Sequence, residues 1–474
     1  MSSTKKTILS LILVAIPLLV LLVPPSWTGF PDMTWSQQQV LAIFFFAALS
    51  WIFELIPSWV TSVSIILLLT FVAGDKSLFF LRFCPHEGQE PGVLVSNTEM
   101  LKCFGDPSVI LYIGGLVLAL SATNLGLDSI LARTILKPFG KKSKFVLLGA
   151  MISTGVISMF MSDTATTALM LGVMAPVFIS LGDDSKGKAA LALGIPFSSL
   201  IGGVGTPIGT PPAMLAFKAL TDGKGFHIQC GFGTWMAYMV PFCIIMIVIA
   251  WFLLLKIFPF KTTEINVDFP KKEVKRKSMW IMAVTYVITV MCWVFGDVLG
   301  LSNNEVALIP VVALAMAGIF TADDIGKLPW AVLWMFTGGI ALGDAMSAVG
   351  LSQMLVTSIP FREIHPMFII VTSALLTWGL SNFISNTGTA ALLIPVMDAL
   401  ALDMKDQFAA FGVNSGIIIF GIAIAASMAM SLPVSTPGNA LAMGTGHVTQ
   451  KQMIKGGFTI GLIGVIIGYA ILFI

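Results

Sequence analysis

The sequence predicts an all-α polytopic membrane protein with eleven transmembrane helices, two re-entrant hairpins and an inverted-topology repeat. Three observations lead there. Of the 474 residues 57% are hydrophobic and only 11% charged, with a mean hydropathy of +0.95; a soluble domain carries about 25% charged residues. Apolar runs of the roughly 17–25 residues needed to span hydrocarbon recur along the chain. Three motifs also occur twice, in the same order, each pair about 225 residues apart.

Full spans are expected near 8–23, 39–55, 58–73, 107–123, 189–220, 235–256, 278–299, 304–320, 329–346, 410–445 and 453–474, those at 189–220 and 410–445 being broken. The first run follows Lys5 and Lys6 like a signal peptide, but no small-residue cleavage site comes after it, so it reads as the first transmembrane helix. Segments 145–181 and 367–402 are each too long for one span and carry a small polar break at the centre, "SDT" at 162–164 and "SNT" at 385–387. A hairpin that turns at the midplane and leaves on its own side fits both. A pair of ordinary spans is the rival, and it leaves no polar loop where one should be.

Charge orients the chain. With the N-terminus cytoplasmic, two cytoplasmic stretches are basic: 137–144 with Lys137, Lys141, Lys142 and Lys144, and 256–277 with Lys256, Lys261, Lys271, Lys272, Lys275, Arg276 and Lys277. The more acidic loop 74–106 and the C-terminus fall outside, which is the positive-inside pattern. Two full crossings would restore the same side as a hairpin, so charge orients the flanks and not the hairpin depth. The expected organisation is a first helix and outer loop (1–38), repeat 1 (39–256), a basic linker (257–277) and repeat 2 (278–474).

The repeated motifs are "GGLVLALSATNLGL" (114–127) with "GGIALGDAMSAVGL" (338–351), "SMFMSDTATTALML" (158–171) with "SNFISNTGTAALLI" (381–394), and "PIGTPPAMLA" (207–216) with "PVSTPGNALA" (433–442). Five crossings between equivalent elements invert the second copy. Inverted repeats with broken helices are the architecture of secondary transporters, with substrate and coupling ions at the repeat interface. A channel would need a continuous wet path instead. An enzyme would need a nucleophile, base or metal cluster, and His86, His227, His365 and His447 are scattered away from both breaks. The five Cys show no metal spacing; Cys84, His86 and Cys103 share a polar loop, where free thiols are expected. A net charge of +2 gives no reason to expect a nucleic-acid partner.

Each hairpin tip offers hydroxyls, one amide or carboxylate, and freed carbonyls, which are hard oxygen ligands for a small cation. The breaks "GGVGTPIGTPP" (202–212) and "SLPVSTPGN" (431–439) match them. Proline removes a backbone donor and blocks the helix, so unwound carbonyls can face a cation and half-helix N-termini an anion. Single Ser or Thr residues in membrane helices commonly bond their own backbone; the pairing sets these apart. Ser62, Ser64, Thr372 and Ser373 have no such pairing and read as packing residues. The loop "GDDSKGK" (182–188) reads as a solvated turn, and 126–136, with Asp128 and Arg133, as an amphipathic helix along the membrane surface.

Taken together these residues resemble the divalent anion:sodium symporters, from about residue 39 to the end. The family hallmark is Ser-Asn-Thr at the tip of each hairpin and Thr-Pro at each helix break; Ser385-Asn386-Thr387, Thr210-Pro211 and Thr436-Pro437 match it. The resemblance implies a homodimeric elevator-type carrier of di- and tricarboxylates, sometimes sulfate, in a lipid bilayer, with two sodium sites. The first site would take Ser158, Ser162, Asp163 and Gly209, and the second Ser381, Asn386 and Ser435, with the backbone near Ile384. Substrate carboxylates would lie on Ser162, Asp163, Thr164, Ser385, Asn386 and Thr387, near Thr210, Pro211, Thr436 and Pro437. No Lys or Arg enters the set; bound sodium can balance a dianion without a fixed charge in the membrane. The departure is Asp163, where the family has Asn: an ionised carboxylate only accepts hydrogen bonds, whereas an amide also donates. The expected function is sodium-driven uptake of small dicarboxylates such as succinate, malate or fumarate, not enzymatic catalysis. A sodium-independent exchanger of the same fold is the alternative, an anion channel a remoter one. The short tails and lack of a transit peptide favour a bacterial inner membrane.

Overall fold

The structure, a computed structural model, describes residues 3–82, 86–221, 230–265, 276–358 and 361–473. Those residues form helices joined by short turns, with no strand among them. Among the described residues, six helices are each long and apolar enough to cross a membrane: Trp35–Phe53, Asn97–Leu125, Phe232–Ile257, Trp330–Ala348, Pro366–Phe383 and Gln450–Leu472. Their ends follow the sequence. Thr34 and Gln37 form a capping box at the first, Asp106 precedes Pro107 at the entry to Pro107–Leu125, and Thr449 and Gln452 box the last.

Two expected spans are interrupted. The span at 304–320 is built from Asn303–Val306 and Leu308–Met316. The span at 278–299 is Arg276–Val294 followed by one turn, Gly296–Leu299.

Hairpin 1 consists of Ser143–Ser158 running in, and Asp163–Val173 with Ala175–Ser180 running back. Its return arm breaks at Met174 because Pro176, at the start of the next helix, cannot donate. Both ends are pinned to one stretch, 258–265. Ser143 Oγ donates to the Thr262 carbonyl at 2.5 Å, and the Asp184 carboxylate accepts from the Lys261 and Thr262 amides at 2.7 and 3.0 Å. The sixteen-residue first arm is about 24 Å long at 1.5 Å per residue, short of a hydrocarbon core of about 30 Å. The chain turns between Ser158 and Asp163, and its two ends meet at the same stretch. The 182–188 loop is not simply a solvated turn: Asp184 is 4% exposed, caps Ser185–Gly203 through the Gly187 amide, and ties hairpin to linker.

Hairpin 2 is Pro366–Phe383 and Asn386–Asp403; Gln407 Nε2 donates to the Ile364 carbonyl at 3.2 Å, so its ends also meet. Broken helix 1 is Ser185–Gly203 and Pro211–Thr221; broken helix 2 is Ile417–Ser427 and Pro437–Gly444. The helices can be described as two groups that also pack on each other, Trp330–Ala348 lying on the return arm of hairpin 2. The hairpins, the broken helices, Phe232–Ile257 and Gln450–Leu472 pack on one another. Trp35–Phe53, Ser58–Phe71, Pro107–Leu125, Leu308–Met316 and Trp330–Ala348 form the other body. Small residues allow close approach within the first, Gly202 lying directly on the Gly155 backbone. The segment Leu127–Leu136, expected at a membrane surface, is a helix packed on hairpin 1 with Asp128 buried.

Candidate functional site

The site is built from helix ends. Asp163–Val173, Asn386–Asp403, Pro211–Thr221 and Pro437–Gly444 all begin at the two tips and two breaks. Ser143–Ser158, Pro366–Phe383, Ser185–Gly203 and Ile417–Ser427 all end there. Helix starts present unpaired N–H groups and the positive end of the dipole; helix ends present unpaired carbonyls and the negative end. Each tip and each break thus holds donors for an anion and acceptors for a cation. The halves pack crosswise: the Asp163 helix lies on the Pro437 helix, and the Asn386 helix on the Pro211 helix.

Around the first break, Ser158 is fully buried and its Oγ donates to the Ser199 carbonyl at 2.8 Å. Ser199 Oγ donates to the Asp163 carbonyl at 2.7 Å, and Thr206 Oγ to the Met159 carbonyl. Gly209 lies in a nest of carbonyls: a Cβ built on it would meet the Ser158 and Met159 oxygens at 2.9 Å, and the Gly203 oxygen more closely still. Converging oxygens without a side chain between them suit a small hard cation. Around the second tip, Ser381 Oγ lies 2.8 Å from Asn386 Oδ1 and 3.0 Å from the Ala426 carbonyl. Ser158 and Ser381 therefore bond the same part of each broken helix, just before its break. Ser435, at the position matching Gly209, donates to the Leu432 carbonyl at 2.7 Å.

The tip residues cap their helices alike. Ser162 Oγ accepts from the Ala165 amide at 3.3 Å, Ser385 Oγ from Gly388 at 3.1 Å, and Thr436 Oγ from Asn439 at 3.2 Å. The two residues after the capping serines differ. Asn386 turns back onto Ser381, whereas the Asp163 carboxylate accepts from its neighbour's amide and hydroxyl, Thr164 N at 2.7 Å and Thr164 Oγ at 3.3 Å. Asp163 thus places a carboxylate on the N-terminus of its own helix. Thr210, Asn386, Thr387, Ser435 and Thr436 are buried; Ser162, Asp163, Thr164, Pro211 and Ser385 are half-buried, and Pro437 is exposed. Gly388 lies against Trp51, which closes the hairpin 2 side.

Three residues beyond the expected set belong here. Ser199 joins Ser158 to the Asp163 backbone. Asn439, wholly buried, donates to the Met430 and Leu432 carbonyls that the second break frees. Asn382 accepts from the Ser431 amide at 2.9 Å, tying hairpin 2 to that break. The motif "TPGN" holds Asn439 in plain view, and the signal for Ser199 is its place one turn before a break. Among the described residues no His, Cys, Asp and Glu cluster of metal-binding type occurs, Cys103 is a buried free thiol, and Cys84 and His227 lie outside them.

Residues 48–413 match the family described as citrate transporter, CitMHS. The chain is 27% identical over 472 aligned positions to sodium-dependent dicarboxylate transporters SdcS of Staphylococcus aureus strains USA300 and NCTC 8325, covering 92% of this chain and 85% of theirs. Its structure is similar to that of the Alcanivorax borkumensis YdaH transporter, at 14% identity and TM-score 0.52 over 88% of this chain and 98% of that one. It is also similar to Neisseria gonorrhoeae MtrF, at 12% identity and TM-score 0.52 over 88% and 94%. At those identities the structural likeness is one of fold alone.

Proposed function

The chain belongs to the citrate transporter family, and on that premise we propose that it couples inward sodium movement to the uptake of small dicarboxylates. The observation that carries this reading is that four helices start and four end at the tips and breaks, with the Asp163 helix packed on the Pro437 helix and the Asn386 helix on the Pro211 helix. The sodium-dependent dicarboxylate relative supports the choice of ions. Sodium, as cargo, would take the carbonyl nest at Gly209 with Ser158, Ser162 and Asp163, and a second position at Ser381, Asn386 and Ser435. The dicarboxylate would lie between, on the N-termini at Ser162–Thr164 and Ser385–Thr387 and beside Thr210-Pro211 and Thr436-Pro437. Two bound cations offset its two charges, which makes sodium binding a condition for anion binding.

The matched order of elements supports an inverted repeat of eleven spans and two hairpins. The packing of the hairpins and broken helices on one another supports an elevator movement of the hairpin body against the other; the reading further takes the carrier as a homodimer in a bacterial inner membrane, with the basic stretches 137–144 and 256–277 supporting a cytoplasmic N-terminus and an outside C-terminus. The test is uptake of labelled succinate by proteoliposomes under an inward sodium gradient, with unlabelled malate, fumarate, citrate and sulfate as competitors. Uptake that persists in choline and needs internal substrate makes the protein an exchanger instead; unsaturable flux far above carrier rates makes it a channel.

A further inference from the structure

One ionic cluster lies away from the site, on the seam between the two bodies. Lys218 is on Pro211–Thr221, two turns beyond the first break. Its Nζ is 3.5 Å from an Asp106 carboxylate oxygen and 3.4 Å from one of Asp344. The Lys218 and Asp106 side chains are only 14% and 15% exposed. Asp106 cannot readily follow a moving lysine, because its other oxygen caps Pro107–Leu125 through the Ser108 amide at 2.8 Å. Asp344 is on Trp330–Ala348. The lysine therefore belongs to the hairpin body and both acids to the other. A third acid, Asp398 on the return arm of hairpin 2, shares with Lys218 and Asp344 the lining of a cavity of about 60 Å³.

Small residues make the close approaches at the seam beside this cluster. A Cβ on Gly339 would meet Ala391 at 3.1 Å, and one on Gly343 would meet Pro395 at 3.1 Å. Gly339 and Gly343 belong to one body, Ala391 and Pro395 to hairpin 2. Small residues of this kind do not interlock, so sliding along them meets little resistance from packing. The charges at the seam are different: half-buried ion pairs hold their partners by direction and distance, and separating them exposes unpaired charge.

We propose that Lys218 is an electrostatic catch that holds the hairpin body against Asp106 and Asp344 in the arrangement seen here, and that it releases when that body moves. The proposal rests on the two-body movement of the proposed function. Removing the ammonium leaves Asp106, Asp344 and Asp398 with one fewer cation among them, so like charges then push the seam apart.

The experiment measures intramolecular distances by pulsed electron spin resonance in the full-length protein in nanodiscs. Spin labels are placed at Ile179 on hairpin 1, 80% exposed, and Met316 on Leu308–Met316 of the other body, 84% exposed, in a background without native cysteines. Lys218→Met is expected to raise the population ratio of the second arrangement at least tenfold, and Asp344→Asn to raise it less. Lys218→Arg, which keeps the charge, is expected to leave the parent distribution in place. A Lys218→Met distribution identical to the parent with and without sodium overturns the catch, as does an identical Asp344→Asn distribution should Lys218→Met not fold. A shift in Lys218→Arg as large as in Lys218→Met also overturns it, because charge is then not the cause. Shifted distances with uptake that ignores sodium leave the catch standing and refute the symport; sodium-driven uptake with unshifted distances refutes the catch alone.

Discussion

Substituting Gly209 by Ala tests the cation site at its most constrained point. The new methyl would sit 2.9 Å from the carbonyl oxygens of both Ser158 and Met159, and closer to that of Gly203. Unstrained carbon–oxygen contacts lie at about 3.3–3.6 Å, so each oxygen must retreat by roughly 0.4 Å or more. All three are backbone atoms and cannot swing aside like the end of a long side chain. Overpacking of this kind costs about 1–3 kcal/mol. If that strain falls on the sodium-loaded state, sodium affinity drops by about 5–150-fold. The assay is the sodium dependence of succinate uptake in proteoliposomes: the half-saturating sodium concentration should rise by that factor, with a smaller change in succinate KM at saturating sodium. Gly172→Ala, where an added Cβ meets nothing within 4 Å, is the control and should behave as the parent. A folded Gly209→Ala protein with the parent's sodium dependence refutes the placement of sodium in this nest.

Three further outcomes are expected. Asp163→Asn removes a charge from the N-terminus where a substrate carboxylate is proposed; at about 5 Å and an effective dielectric of about 20 the repulsion relieved is roughly 3 kcal/mol, so at saturating sodium succinate KM should fall by about tenfold or more while the half-saturating sodium concentration rises, and no change in either in a competent carrier places Asp163 outside the site. Ser381→Ala strips a bond from Asn386 and from the Ala426 carbonyl, a loss of about 1–2 kcal/mol to be read as a severalfold rise in half-saturating sodium without loss of folding; no rise counts against the second sodium position. Burial would raise the Asp184 carboxyl, but the amides of Thr262, Gly187 and Lys261 outweigh it and hold it below the usual carboxylate range. A depressed acid stabilises the fold above its unfolded pKa and loses that contribution as pH falls through its folded value. Asp184→Asn should therefore cost about 1–2 kcal/mol in thermal melts at neutral pH, and the difference should shrink below about pH 4; a constant difference down to pH 3 refutes the ionic role.

Some of this is legible from the chain alone, and the reason is local. Hydroxyls, prolines and glycines within apolar runs are conspicuous; their recurrence at 158–171 and 381–394 marks both tips, and at 207–216 and 433–442 both breaks. Helix entry at Asp106-Pro107 and Thr34 follows from neighbouring residues, so the helix positions near 39–55 and 107–123 could be read directly. Other features need the packed molecule. Pro395 lies inside an unbroken helix while Pro176 starts a new one, although both follow the same kind of tip. Asp184 looks like part of a solvated turn until the linker amides at 261 and 262 come within 3 Å of it.

The sequence by itself determines that this chain is helical and membrane-spanning and carries one polar device twice, because periodicity, hydropathy and proline act over a few residues. Tertiary structure alone decides that Asn386 faces Ser381 while the Asp163 carboxylate accepts from Thr164. It alone brings Asp106, Lys218, Asp344 and Asp398 to one seam. Those four charges stand far apart in the chain, and nothing in their local sequence pairs them. Only the close approach of four helices, made possible by small residues such as Gly339 and Ala391, sets the distances at which charge can act.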